Sequence, residues 1–440
     1  MTGASEVWTG AAEVLCEDGV VVEDLDGGDV LDATGCIVTP GLVNAHHHLL
    51  QSAFRTSPAT RHVPMDRWLA AMAADYRAAK VDPELVGAAA AVGLAESLLC
   101  GVTTVADHHL TWPPGSIQDD VAVAVATATA AEAVGARLVF VRGTAGDDPE
   151  QAALSVEAIV AVLTTNLPPK EQQNPLLFRG QVRGGGRGQL RGVPRMVDVA
   201  VGPAGVHSDG PETFRLLAEV AAKHGLRRRT QANEVVDVER AGARCGRRPL
   251  DLLDEWGWLA PDVTLAHLCG ITPDEAARVA ASGASATHAP GCDLPMGWGV
   301  APAGDLLDRG VAVGLGTSGG GSNDAGHLLA DARLAMQVSP LTGRPLTARE
   351  VLTMATSGSA AGLGRPDLGT LAPGSAADLC CWDVTGVADA GVHDPLAGLV
   401  WASPGRRPRH VVVAGRVVVQ DYALVTADER DLVAALGRAR

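Results

Sequence analysis

From residue 82 onward, apolar runs of two lengths alternate along the chain. Short Val/Leu/Ala runs predict strands at Val102-Thr-Thr-Val-Ala106, Arg137-Leu-Val-Phe-Val141, Val197-Asp-Val-Ala-Val201, Val263-Thr-Leu-Ala266, Ala284-Ser-Ala-Thr287 and Val311-Ala-Val-Gly-Leu315. Longer stretches between them carry helix signals. Asp82-Pro83 opens a helix that runs to Leu99-Cys100 and stops at Gly101. Thr272-Pro273-Asp274-Glu275 is a capping box, because Thr and Glu three apart satisfy each other's free amides, and its helix ends at Gly283. Strand-helix units repeated in this way predict a parallel sheet, and about eight of them predict a TIM (β/α)8 barrel. That fold carries a placement rule: functional side chains sit at the C-terminal ends of the strands.

The two chain ends have a different rhythm. Residues 5–39 alternate short Val/Leu runs with turns such as Glu17-Asp18-Gly19 and Asp26-Gly27-Gly28. Leu371-Ala-Pro-Gly-Ser-Ala-Ala-Asp378 reads as a turn before a strand over Leu379–Trp382, and Val411 to Val419 reads as a tight hairpin about Ala414-Gly415. These segments predict a small β-sandwich built from residues 1–39 plus 366–425, bracketing a barrel over 40–365, with a terminal helix over 426–440. One stretch breaks the pattern. Thr165 to Arg195 contains a Gly/Arg-rich run over 178–195 that cannot bury a core, so a solvated insertion is expected in preference to an RNA-binding arm.

Composition narrows the function classes. The chain has 440 residues, 47% of them apolar, enough for one large core. A net charge of −16 argues against nucleic acid or an anionic membrane as partner. No run approaches the roughly 20 apolar residues of a membrane span, and the first residues show no secretion signal. Eight cysteines lack any C-x-x-C pair, and Cys380-Cys381 are adjacent. A reducing cytoplasm and buried structural thiols are expected.

The strongest chemical signal is Pro40-Gly-Leu-Val-Asn-Ala-His46-His47-His48. It is apolar up to Val43 and then offers imidazoles. Side chains two apart on a strand point the same way, so His46 and His48 can face one point with His47 turned away. Two neutral imidazoles on a rigid strand end make half of a zinc-type site. A surface histidine run is the plain alternative, and the apolar strand ahead of it argues against that.

Thr39 to His48 resembles the first-strand signature of the amidohydrolase superfamily, and within it the branch of 8-oxoguanine deaminase and the triazine and pterin aminohydrolases. Ala106-Asp107-His108-His109, Ser322-Asn-Asp-Ala-Gly-His327 and Asp389-Ala-Gly-Val-His-Asp-Pro-Leu-Ala397 extend the resemblance over most of the chain. It implies a barrel bracketed by a terminal sandwich, one divalent ion (zinc or iron), a small heterocyclic substrate and a homo-oligomer. It places Glu234 as proton shuttle and His267 as the residue that polarises the substrate, with a satisfied core histidine as the alternative for His267. Gln51, His108 and His288 fall on substrate-pocket positions; a structural role is the alternative for both histidines. Two positions depart from the family. Gln231 stands where a metal-binding histidine is usual, and Ser318 where an aspartate usually touches both metal and attacking water. A serine hydroxyl is too weak a base for that proton. Triazine hydrolases with a hydroxyl residue there give a partial precedent for Ser318 or its neighbour Thr317. The expected activity is deamination of a purine-like ring, 8-oxoguanine first, with triazine or pterin hydrolysis as alternatives. A non-catalytic relative that binds a ligand is the reading from another class. Arg227-Arg228-Arg229 in the fifth strand is an expensive placement unless paired.

Overall fold

The computed structural model describes residues 8–9, 13–165, 195–402 and 404–440. Apart from Arg195, the Gly/Arg-rich run lies outside the described residues. Eight successive strands form one parallel sheet: Leu42–His48, Val102–His109, Arg137–Thr144, Val197–Pro203, Arg227–Ala232, Val263–His267, Ser285–His288 and Val313–Leu315. Each pairs in parallel with the next. The eighth strand breaks after Leu315 and resumes as Ser318–Gly319, which pairs with His47 and His48 of the first strand. Both edges of the sheet are therefore one stretch of chain, and the sheet wraps into the expected barrel. Gly316 lies at the break. A Cβ there would sit 2.8 Å from the His46 Cβ, so only glycine lets the eighth strand approach the first this closely.

The helix signals act as read. Asp82 accepts a hydrogen bond from the Leu85 amide at 2.9 Å, the helix spans Pro83–Leu99, and Gly101 takes φ +85°. Thr272 and Glu275 exchange both capping-box bonds ahead of Pro273–Ser282, and Gly283 takes φ +74°. The helix Pro83–Leu99 buries Ala88 to Ala91, Leu94 and Leu98 against the helix Ile117–Val134 and the turn Leu49–Ala53, and the C-terminal helix Glu429–Ala439 also packs on it and buries Leu432.

The chain ends form a six-stranded antiparallel sheet in the order Trp8–Thr9, Cys36–Pro40, Leu379–Asp383, His410–Val413, Arg416–Gln420 and Ala423–Leu424. Ala414 and Gly415 take φ +50° and +72°, the primed turn that a two-residue hairpin favours. A hairpin of Leu15–Glu17 with Val20–Val22 packs on this sheet, and Val21, Cys36, Leu379, Cys381 and Val412 share its small core. All eight cysteines are free. Cys36, Cys100, Cys292, Cys380 and Cys381 are buried, whereas Cys245 is exposed at a helix end, so the expectation of buried thiols does not extend to it. Among the described residues no helix is long and apolar enough to cross a membrane.

A buried ion pair pins the terminal sheet to the barrel. The Arg137 guanidinium opens the third strand and reaches Asp378 through Nε at 2.7 Å and Nη2 at 2.9 Å, both side chains being almost fully buried. Asp378 also accepts from the Ala414 amide at 2.8 Å. Removing one partner strands the other charge away from water. Asp378→Ala is expected to cost about 3–5 kcal/mol of stability. Chemical denaturation of the two proteins measures it, and an unchanged midpoint would rule out this anchor.

The arginine run resolves unevenly. Arg228 pairs with Asp262 at 2.6 and 2.7 Å and lies over the Trp258 ring. Arg227 donates to the Pro261 and Gly362 carbonyls. Arg229 turns into the barrel, 2% exposed, and reaches the Ala45 carbonyl, while its Nε and Nη1 have no hydrogen-bond partner. Burial, then the neighbouring Arg227 charge, pulls its pKa down to about 9.

Candidate active site

Four histidine rings meet at the C-terminal ends of the strands. The His46 ring lies 4.9 Å from that of His48, 5.2 Å from His267 and 5.7 Å from His108, centroid to centroid. His48 Nδ1 bonds the His108 carbonyl at 2.6 Å, which fixes the ring and leaves Nε2 free. His46 Nε2 is buried with no partner. Burial pushes the His46 pKa well below its usual value, with further lowering from the other histidines, and burial brings His48 to about 4. Both rings are thereby held in the neutral form that binds a cation. His47 faces the other way, with Nδ1 2.8 Å from Thr317 Oγ1.

Glu234 follows the fifth strand and is fully buried; neither carboxylate oxygen has a hydrogen-bond partner. Its Oε1 lies 3.5 Å from His267 Nε2. Burial raises the Glu234 pKa, against an opposing pull from His267. Asp237 steadies this corner: it accepts from the Asn233 amide at 2.9 Å, and from the backbone and ring of His207 at 3.1 and 3.2 Å. His267 donates from Nδ1 to Asp293 Oδ1 at 2.6 Å. Burial pulls the His267 pKa down, but the Asp293 charge and hydrogen bond, together with Glu234, outweigh it and the net shift is upward. Asp293 is pushed up by burial, yet His267 and His288 hold it down at about 2. The His267–Asp293 hydrogen-bonded pair is thus buried with Glu234 at its other ring nitrogen. The backbone is bent to aim these groups: Asn233, His267, Leu268 and Ser318 all adopt left-handed φ between 54° and 74°. Non-glycine residues reach that region at a cost that clusters at functional sites.

The structure brings His46, His48, His108, Glu234 and His267 together. The other sequence-derived candidates fall as follows. Gln231 ends the fifth strand on its inward face, two residues above Arg229, and pairs with Ala266 beside His267. Ser318 turns its hydroxyl to the Cys292 thiol. Thr317 is committed elsewhere, accepting from Asn44 Nδ2 at 2.7 Å as well as meeting His47. Gln51 uses Oε1 to accept from the Gly321 amide at 2.9 Å, so it holds the loop after the eighth strand. His108 Nε2 bonds the Gly202 carbonyl at 2.8 Å. His288 Nδ1 is buried without a partner, 3.7 Å from Asp293 Oδ2. Sequence reasoning missed Asp293, Cys292, His207 and Asp237. The strand-end rule applied to Val197–Pro203 would have pointed to His207, four residues on. No comparable signal marks Asp293.

The residues fit a divalent ion. His46 Nε2, His267 Nε2 and both Glu234 oxygens are buried without partners. Orphaned donors and acceptors in a dry site cost free energy unless something bridges them. His46 and His48 would hold the ion.

Comparison with known proteins identifies the family of the fold. Residues 37–418 match the Amidohydrolase family. The chain is 34% identical over 436 residues to the 8-oxoguanine deaminase of Pseudomonas aeruginosa, covering 96% of this chain and 93% of that protein. It is 31% identical to an isoxanthopterin deaminase from an unknown prokaryote, covering 92% and 85%. The crystal structure of atrazine chlorohydrolase TrzN from Arthrobacter aurescens TC1, complexed with zinc, superposes with a TM-score of 0.84 at 34% identity, covering 97% and 94%. Barrel, terminal sheet, histidine pair and whole-length similarity point one way: the chain belongs to the amidohydrolase family.

Proposed function

We propose that this protein is a metal-dependent hydrolytic deaminase of purine-like heterocycles, with an 8-oxoguanine-type ring as substrate. One observation carries the reading: the unpartnered atoms of His46, Glu234 and His267 meet in one buried place. A divalent ion held by His46 and His48 supplies, when bound, the Lewis acidity that makes water nucleophilic near neutral pH.

The chain's own groups do the rest. Glu234, its pKa raised by burial, takes a proton from the attacking water and returns it to the departing nitrogen, which leaves as ammonia. His267 presents an N–H from Nε2 to the ring as negative charge develops there, and Asp293 holds the other side of that imidazole in place through Nδ1. Ser318 offers a hydroxyl in place of a carboxylate, so proton transfer rests on Glu234 alone. Gln51 and His108 act here by fixing the loop after the eighth strand and the His48 ring.

The similarity to the Pseudomonas 8-oxoguanine deaminase supports the purine-like substrate. A triazine is the second reading, supported by the superposition on the chlorohydrolase. The test is hydrolysis by zinc-loaded protein of 8-oxoguanine and isoxanthopterin, read as ammonia release, and of hydroxyatrazine, read as release of its alkylamine. Turnover is expected to be fastest on 8-oxoguanine. Zinc bound at the histidines with neither ammonia nor alkylamine released from any of the three would make the chain a binder and overturn this reading.

A further inference from the structure

Beside His267 lies a group of donors that joins two residues of the deamination site to thiols which that chemistry does not use. A ring nitrogen of His267, the Cys292 thiol and a carboxylate oxygen of Asp293 all lie within 4.8 Å of one another, and all three residues are buried. Among the described residues no other group of histidine, cysteine and acidic side chains is this compact. A fourth donor adjoins them. The Cys269 thiol follows His267 by two residues and donates to the His267 carbonyl at 3.9 Å. Asp293 Oδ2 is buried with no hydrogen-bond partner, and so is His288 Nδ1 beside it. Two loops supply the set: His267 and Cys269 leave the sixth strand, while Cys292 and Asp293 open the turn after the seventh.

We infer that His267, Cys269, Cys292 and Asp293 form a second cation site, of thiol character, for a soft divalent ion of the zinc class. Two thiolates, one imidazole and one carboxylate match the donor types and the fourfold coordination that zinc prefers, and thiolates select against magnesium and calcium. Without the ion both thiols stay protonated, since burial first and the Asp293 charge second push Cys269 and Cys292 upward. Binding therefore releases a proton from each thiol and the one on His267 Nδ1 to solvent. It also takes His267 Nδ1 off Asp293. A filled second site then removes the support of the imidazole that faces Glu234, so excess zinc inhibits. The site itself stands on its donors; the inhibition rests on the deaminase reading.

Cobalt distinguishes the two sites, because thiolate ligation adds a charge-transfer absorption in the near ultraviolet that histidine and carboxylate ligation lacks. Metal-free full-length protein is titrated with cobalt(II). The expected result is that absorption in the wild type, its loss in Cys292→Ser, and a fall in cobalt affinity of about 10-fold or more at the thiol site. Cys245→Ser, which alters the exposed thiol, is expected to keep it. Thermal melts confirm that the serine variants fold. If they do not, the wild-type spectrum alone decides: a cobalt-saturated protein without the absorption overturns the site. Absorption that survives in a folded Cys269→Ser/Cys292→Ser protein overturns it as well. Neither result depends on turnover, so a catalytically silent chain can still carry the site.

Discussion

Glu234→Gln is expected to lower turnover by about 100- to 10,000-fold while leaving the metal content of the protein nearly unchanged. The amide keeps the shape of the side chain and loses the ability to take up a proton. No other unpaired base stands near. Asp293 is engaged with His267 and held at about pKa 2, too acidic to accept a proton near neutral pH. Asp237 is occupied by the Asn233 and His207 amides and the His207 ring. Ser318 is a hydroxyl facing a thiol. With the usual eighth-strand carboxylate replaced, the two proton transfers of the reaction fall on one residue, and the loss belongs at the upper end of that range. The measurement is a steady-state rate with metal analysis on the same samples. Turnover reduced only a few-fold would remove Glu234 from the chemistry; a parallel loss of metal would make it a ligand instead of a base.

The barrel was legible because its evidence is repeated: each strand and helix carries its own periodic pattern, and the strand-end rule then points to His46, His48 and His267, while Glu234 comes from the family resemblance. What the chain does between those ends was not. Asp293 reaches His267 across 26 residues by way of the turn at Pro290, and no local pattern encodes that return. Thr317 and Ser318 could not be separated in the sequence, since one residue of register flips a strand side chain to the other face. The structure sends Thr317 to Asn44 and His47, and Ser318 to Cys292. Gln51 is a substrate-pocket position only by resemblance, and the sequence does not show that its oxygen accepts from the Gly321 amide. The cost of the arginine run was foreseen, but which arginine would bear it was a question of long-range partners. Asp262 answers for Arg228, whereas Arg229 finds only the Ala45 carbonyl.

That lone guanidinium enters the last expected result, a gain of zinc affinity of about 100-fold or more in Gln231→His with Ser318→Asp. Losing even a residue that merely supports a metal ligand typically costs about 10- to 100-fold, so restoring two direct ligands belongs at or above that range. Geometry favours both changes. Position 231 closes the inward face of the fifth strand, next to Ala266 and one step from His267. Position 318 has φ +57°, a left-handed conformation that aspartate tolerates better than most side chains. Charge favours them too. Arg229 lies near enough to His46 to lower its pKa, and its Nε and Nη1 are unpartnered, so wild type sets an uncompensated positive charge beside the place of a divalent cation. A carboxylate at 318 offsets that charge and returns a base beside the attacking water. Zinc affinity is read by competition with a chromophoric chelator on both metal-free proteins, and ammonia release from 8-oxoguanine is followed in parallel. Equal, weak binding with no ammonia from either protein would mean that the arginine has moved the fifth strand too far for an introduced imidazole to reach the ion. Tight binding and turnover already present in wild type would overturn the view of Gln231 and Ser318 as losses, and make them working members of an altered metal site.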